Sequence, residues 1–529
     1  MGKSRRYFSI LIGTSLFLGA LIGPTGAAEA ALTNRKLSGE LTLSGDVHAF
    51  EISPDGHFVV FLADARFNGV DELFGVPANG GDRTRLSHDL PAGVRVEGFV
   101  ITPDSQSVVY WTGDVDDYCT GIYSVPIAGG TSTNISGTVP ANKLMNVMAV
   151  TSDSQYAVYT LHHSEFMVDS FEVLWAAPLD GSGAIALTSE TCIQCSVKFK
   201  LSPIGNEVVY KIIPPHGPLY ISKVNMLGVS EQLAGPYGAS GDFAITLDGD
   251  WVVFTAMTDV YPRSDLFSVP FTGGIPIKLN GTMADDRAVV DFELAPNSQA
   301  VVYRADQVVD EQVELFSVPV DGSTERLRLL SAIIPAGDVE RYQITPNSLG
   351  VVYLADQLID ERFDLGAVSI AGGINYWLNK EMVPGGDVAD FAITPNSLGV
   401  VFTADKLIDE TYELFSVSVI GTGLGRLNAD LPAGGDVLDF EIAPNSLGVA
   451  YRADQDLNDA FALYAVPTVG GTPPLKLNTP LVPGGDVNTY AITPDSRGVV
   501  YLADQDTDGM DELFGAYNYP TVYLPLAMR

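Results

Sequence analysis

The sequence predicts an all-β fold: a β-propeller of about ten four-stranded blades, closed by an N-terminal strand. Three observations predict it. A motif built on Ile-Thr-Pro-Asn-Ser, followed by an apolar triplet and Ala-Asp, recurs with a period near 49 residues. Each period divides into four short apolar runs separated by Pro, Asn and Gly turns. The two ends of the chain carry complementary fragments of one period.

The clearest copies begin at Ile344, Ile393 and Ile492, with variants at Ile52, Ile101, Leu294 and Ile442. Aligned on the proline position, the units are marked by Pro54, Pro103, Ser152, Pro203, Leu247, Pro296, Pro346, Pro395, Pro444 and Pro494, at spacings of 44 to 51 residues. In the unit around Pro395, Asp390 to Ile393 lead into the turn, Gly399 to Ala404 make a dense apolar run, Tyr412 to Val417 a third, and Arg426-Leu427-Asn428 begin a fourth. Proline presets φ for the turn and the following Asn or Asp binds nearby amides. Unbroken apolarity in the second run implies a sheet covered on both faces. Four strands per 40 to 50 residues describe a propeller blade; the coils of a right-handed solenoid, the competing architecture, are usually shorter.

The ends bear on closure. Lys36-Leu37-Ser38 before Gly45-Asp46-Val47 matches Arg426-Leu427-Asn428 before Gly435-Asp436-Val437, and the last unit stops after its third strand, Asp511 to Ala516. Leu37 to Leu43 are therefore expected to pair with that strand and remove an exposed edge. Two five-bladed rings satisfy the same strand count. Nothing resembling a linker separates units five and six, which favours one ring.

Ser53 to Gly56 (SPDG), Val59-Val60-Phe61 and Asp71-Glu72-Leu73-Phe74 together resemble the TolB-type, WD-repeat-like propeller repeat. The resemblance covers roughly residues 33–518 and implies an exported, noncatalytic binding propeller. Related propellers accompany prolyl-oligopeptidase-like peptidases, but this chain has no G-x-S-x-G elbow, and the 11 residues after Asn518 cannot hold a hydrolase domain.

Residues 1–30 read as a signal peptide. Lys3, Arg5 and Arg6 precede an apolar stretch from Tyr7 to Ile22, and Ala28-Glu29-Ala30 supplies the small-x-small cleavage pattern. A retained anchor is the other reading, but the run is short and ends in Gly23-Pro24. No second stretch reaches spanning length. The propeller is expected over 31–518 and a tail, 519–529, packed on the last blade. Localisation is expected to be secreted, periplasmic or cell-surface, with no membrane span after cleavage. The net charge is −36; loss of the leader, with three cations and one anion, leaves −38. Such a surface repels nucleic acid and anionic membranes and attracts cationic partners. Of the three cysteines, the Cys192/Cys195 pair is expected to form a local bridge after export, while Cys119 is free or pairs with one of them.

The acids fall in two rows. Inter-blade links repeat Gly-Asp-Val at Asp46, Asp338, Asp387, Asp436 and Asp486; second-to-third-strand loops begin Ala-Asp at Asp64, Asp306, Asp356, Asp405, Asp454 and Asp504. In an antiparallel blade both emerge on one face. Asp504, Asp506 and Asp508, followed by Gly509, give alternating oxygen ligands of the kind that wrap Ca²⁺. Asp306/Asp310, Asp356/Asp360 and Asp405/Asp409 are poorer versions. The competing reading makes the first Asp of each loop a cap on backbone amides. Calcium is thus a candidate cofactor. None of the six histidines lies in the five most regular units, and the His162-His163 pair lacks helical i, i+4 metal spacing. The expected function is an exported noncatalytic scaffold binding a protein or extracellular ligand. The alternative is a polysaccharide hydrolase or lyase using the acidic channel mouth. A channel-facing group of Arg, aromatic residues and two carboxylates would favour the enzyme.

Overall fold

Each period folds into one antiparallel four-stranded sheet, ten in all. The computed structural model describes residues 33–163, 172–189, 194–214, 217–238, 240–257, 264–284, 286–330, 334, 337–359 and 361–517. The leader, the tail, Cys192, Asp360 and His216 lie outside the described residues. Blade 8 shows the plan, with strands Val388–Ile393, Gly399–Ala404, Glu413–Ser418 and Gly425–Arg426. The second and third strands are buried along nearly their whole length, whereas the first is only partly buried and the fourth is exposed. A stacked aromatic pair joins the two central strands in most blades, such as Phe402 on Phe415 at 5.5 Å. In blade 7, Gly366 occupies the second place of such a pair because the ring of Tyr353 lies where its Cβ would be.

The blades form one ring. Val253 and Leu266 of blade 5 share a core with Val301 and Tyr303 of blade 6. Leu502 and Leu513 of blade 10 share another with Val59 and Phe61 of blade 1. Two five-bladed rings would require blade 5 to pack on blade 1 and blade 10 on blade 6, so that alternative is rejected.

Closure occurs as expected, but a few residues earlier in the chain. The pairing strand is Thr33–Lys36, with Thr33 opposite Tyr517 and Lys36 opposite Phe514. Leu37 and Ser38 extend it through hydrogen bonds to Leu513 O, and residues 39–43 form no strand. The register is set by what each residue of the Lys-Leu-Ser triplet must reach. In blade 8, Arg426 pairs with buried Glu413 at 2.6 Å, Leu427 is buried, and Asn428 Oδ1 accepts the Leu414 N–H at 2.8 Å. In blade 10, Lys36 pairs with Glu512, Leu37 is buried, and Ser38 Oγ accepts the Leu513 N–H at 3.3 Å.

The ring has two faces. The loop face carries the second-to-third-strand loops and the inter-blade links; the turn face carries the Thr-Pro-Asn-Ser turns. On the turn face, neighbouring blades are joined by serines in the left-handed region. Ser397 (φ 64°) accepts the Asn347 N–H at 2.9 Å, and Ser446 accepts that of Asn396 at 2.9 Å. A non-glycine residue there costs of order 1 kcal/mol, offset by a hydrogen bond of similar size. Blade 1 has Gly56 at this position, so the seam between blades 10 and 1 lacks this bond.

Candidate functional site

The two acidic rows meet on the loop face and are bonded to each other. In blade 9, Asp454 Oδ1 accepts the Asp436 N–H at 2.6 Å and Oδ2 accepts the Asp459 N–H at 2.9 Å. Asp436 Oδ1 in turn accepts the Tyr412 N–H of blade 8 at 2.7 Å. One aspartate therefore closes the loop and the next bonds to the preceding blade. The pattern recurs: Asp504 accepts from Asp486 and Gly509, Asp405 from Asp387 and Glu410, Asp356 from Asp338 and Glu361. Asp306 accepts the Ala288 N–H at 2.7 Å. The first Asp of every such loop is an amide cap.

The sequence-predicted Asp504, Asp506 and Asp508 are thereby divided among three settings. Asp508 lies tightly over Gly484, whose φ of 90° already favours glycine, while Asp504 caps its loop and Asp506 lies 3.5 Å from Lys36 Nζ. Asp409 overhangs Gly385 in the same way. Asp310 is exposed with no bonded cation among the described residues, and Asp360 falls outside them. No group of three or more His, Cys, Asp or Glu residues is placed to hold a metal ion among the described residues. Cys195 is in a disulfide, while Cys119 is a buried free thiol at the start of its strand, its pKa pushed up to about 11 by burial.

At the hub, the first strands of adjacent blades converge. Ile344 N–H of blade 7 reaches Glu293 Oε2 of blade 6 at 3.1 Å, and Ile492 N–H reaches Glu441 Oε2 at 2.9 Å. Around them stand two equivalent constellations that sequence reasoning missed. Arg304 forms a two-pronged pair with Asp291 and donates to Val339 O at 2.8 Å, while Tyr342 donates to Val302 O at 2.9 Å. Arg452, Asp439, Val487, Tyr490 and Ala450 repeat this between blades 9 and 10. The signal was available in the differences among repeats. Asp-Phe-Glu and Tyr-Arg-Ala-Asp occur together only in units six and nine, and a Tyr replaces the usual Phe only in the unit after each. Arg, Tyr and two carboxylates thus do gather at the hub. Their donors, however, are directed to blade-to-blade bonds.

Burial pushes the Glu293 carboxyl up to about 7, against the Ile344 N–H, which lowers it. Because the folded pKa lies above the ordinary 4.5, the stability this group contributes is full below pH 4.5 and is lost as pH rises through about 7. Glu293→Gln stays neutral and keeps an acceptor for Ile344. It is expected to match the wild type at pH 4.5 and to be more stable at pH 8, by roughly 1 kcal/mol after allowing for solvent screening. Urea melts at the two pH values check this; an equal difference at both would refute it.

At the seam, a cleft of ≈ 530 Å³ opens between the first strands of blades 10 and 1, lined by His48, Phe50, Glu51, Thr489 and Tyr490 among others. His48 Nε2 lies 3.2 Å from Asp71 Oδ1. Burial raises both Asp71 and Glu51 above the usual carboxylate range.

No known protein family matches this chain, and no curated protein matches it in sequence. Among solved structures, it is similar to prolyl endopeptidases analysed for inter-domain dynamics in catalysis and specificity, at a TM-score of 0.39 and 10% identity over 70% of this chain. It spans 55% of that chain, about half its length. It is also similar to an oligogalacturonate lyase in complex with manganese, at a TM-score of 0.34 and 14% identity, covering 64% of this chain and 96% of that one. Likeness this distant carries no argument about activity. The propeller rests on the strand topology, and the TolB-type likeness stays a resemblance.

Proposed function

We propose that the protein is an exported, noncatalytic propeller that binds a cationic partner on its loop face. The observation that carries this reading is what remains after the aspartate caps are assigned. Asp310, Glu311, Glu361, Asp409, Glu410 and Asp459 are exposed on successive loops, and no cation is paired with any of them among the described residues. Structural economy does not require a run of like charges there; such a field speeds and orients the approach of a basic surface. Among the described residues, no helix is long and apolar enough to cross a membrane.

The test is titration with oligolysine at several ionic strengths. Binding should weaken steeply with salt and fall at least tenfold when Asp310, Glu361, Glu410 and Asp459 are changed to their amides. No binding at low salt would overturn the reading. A Ca²⁺ arm belongs in the same experiment, because Asp409 and Asp508 offer oxygens to a hydrated cation. Melting raised by millimolar Ca²⁺ at matched ionic strength, and not after Asp409→Asn with Asp508→Asn, would assign the ion to these loops.

A second reading, a polysaccharide hydrolase or lyase acting at the hub, is favoured by one observation: Glu293 is a carboxyl held near neutrality beside Asp291. Release of reducing ends or unsaturated products that is lost in Glu293→Gln would establish it.

A further inference from the structure

We infer that the loop tips of blades 6 to 9 form one docking arc for a basic amphipathic segment of a partner protein. This rests on the proposed function and adds an apolar contact that charge alone does not supply. Each tip displays large apolar side chains to solvent: Val308 and Val309, Leu358 and Ile359, Leu407 and Ile408, then Leu457, all between 44 and 67% exposed. The four loops are consecutive around the ring, so the tips follow one another along one side of the loop face. In blade 10 the corresponding residues are Asp506 and Thr507, so the fold itself makes no demand for apolar tips.

The display is held in place from below. The capping aspartates Asp356, Asp405 and Asp454 bind the N–H groups of Glu361, Glu410 and Asp459, the residues just past the tips. Those residues, with Glu311, adopt φ of 55 to 61°, a left-handed conformation that suits glycine. Blades 1 and 10 place Gly69 and Gly509 at this point. Blades 6 to 9 keep an acid there, beside the apolar tip. The result is an apolar stripe fringed by carboxylates, whose complement is a segment with apolar anchors between lysines or arginines. A second copy of this chain would meet the stripe with like charge, and an anionic membrane would be repelled by the same fringe.

Fluorescence anisotropy tests this with two labelled probes in physiological salt, where exposed charges are screened beyond about 8 Å. One is a short Lys/Leu amphipathic helical peptide, the other oligolysine of equal charge. The amphipathic probe should bind at least tenfold more tightly. A Leu358→Ser, Ile408→Ser, Leu457→Ser variant, altered only at exposed positions and checked by its melting, should lose that margin while binding oligolysine unchanged. Equal binding of both probes by the wild type, or a margin that survives in the variant, would overturn the arc and leave the charge reading standing. Binding of neither probe in physiological salt would overturn the arc, and binding of neither at low salt would sink the charge reading as well. Self-association of the wild type that disappears in the variant would assign the stripe to a second copy and also overturn the proposal.

Discussion

Removing residues 31–38 should destabilise the protein by about 5 kcal/mol or more and drive it to associate. Leu37 is buried to 1% exposure, worth about 2 kcal/mol. Asn34 donates to Tyr501 Oη at 2.6 Å and to Leu477 O at 2.9 Å, each worth about 1 kcal/mol. Loss of Lys36 strands Glu512, buried to 1%, and a buried carboxylate robbed of its cation costs about 3 kcal/mol. The third strand of blade 10 would also become an open edge. Urea denaturation measures the first effect and sedimentation the second. A truncated protein that stays monomeric and equally stable would contradict closure through this strand.

The second large effect is expected at Arg328, which pairs with Glu314. Glu314 is fully buried and its Oε2 has no hydrogen-bond partner among the described residues, as is true of the matching oxygens in Glu72, Glu413 and Glu512. Arg328→Met should cost roughly 3 kcal/mol at neutral pH by leaving that charge alone. Burial already raises the Glu314 carboxyl above 4.5, against the pull of Arg328. Without the arginine the folded pKa must rise further, so the deficit should be largest at high pH and disappear below pH 4.5, where the carboxyl is protonated in the unfolded chain as well. Adding Glu314→Ala should restore most of the loss. Blade 9 is a natural precedent, with Ala462 at this position and Lys476 turned to Asp456 at 2.9 Å. A double variant as unstable as the single one would show that the arginine acts by packing alone.

Much of the fold was legible in the sequence because the repeat is strict where backbone geometry is strict. The proline turn and the Ala-Asp cap are local devices, and the second strand Gly399–Ala404 was placed correctly from its apolar run. The Lys-Leu-Ser fragment pointed to closure because its three residues do the same work in blade 8. Its register was misplaced, since the motif marks the end of the pairing segment, whereas its apolar continuation to Leu43 looked like the strand. The acidic rows were placed on the correct face. Their division of labour was hidden: an aspartate that caps amides and one that faces solvent have the same letter, and only the loop conformation separates them. The hub constellations were invisible for the opposite reason. Aligning repeats brings out what all units share, and Arg304 and Arg452 are what two units do not share.

Thr33 stands directly opposite Tyr517, at the place where every other blade has a short turn between its third and fourth strands. The chain is therefore a circle cut once, at a hairpin. A linker no longer than the turn at Gly80 and Gly81 would rejoin the ends, and the cut could be moved to another exposed turn without asking any strand to change its neighbour. Read this way, no blade is first or last. Thr33 and Tyr517 bound an incision in a periodic object, and the cleft marks its seam; the missing serine bond does not single it out, because Gly205 and Gly249 leave the joints between blades 3 and 4 and between blades 4 and 5 without one as well.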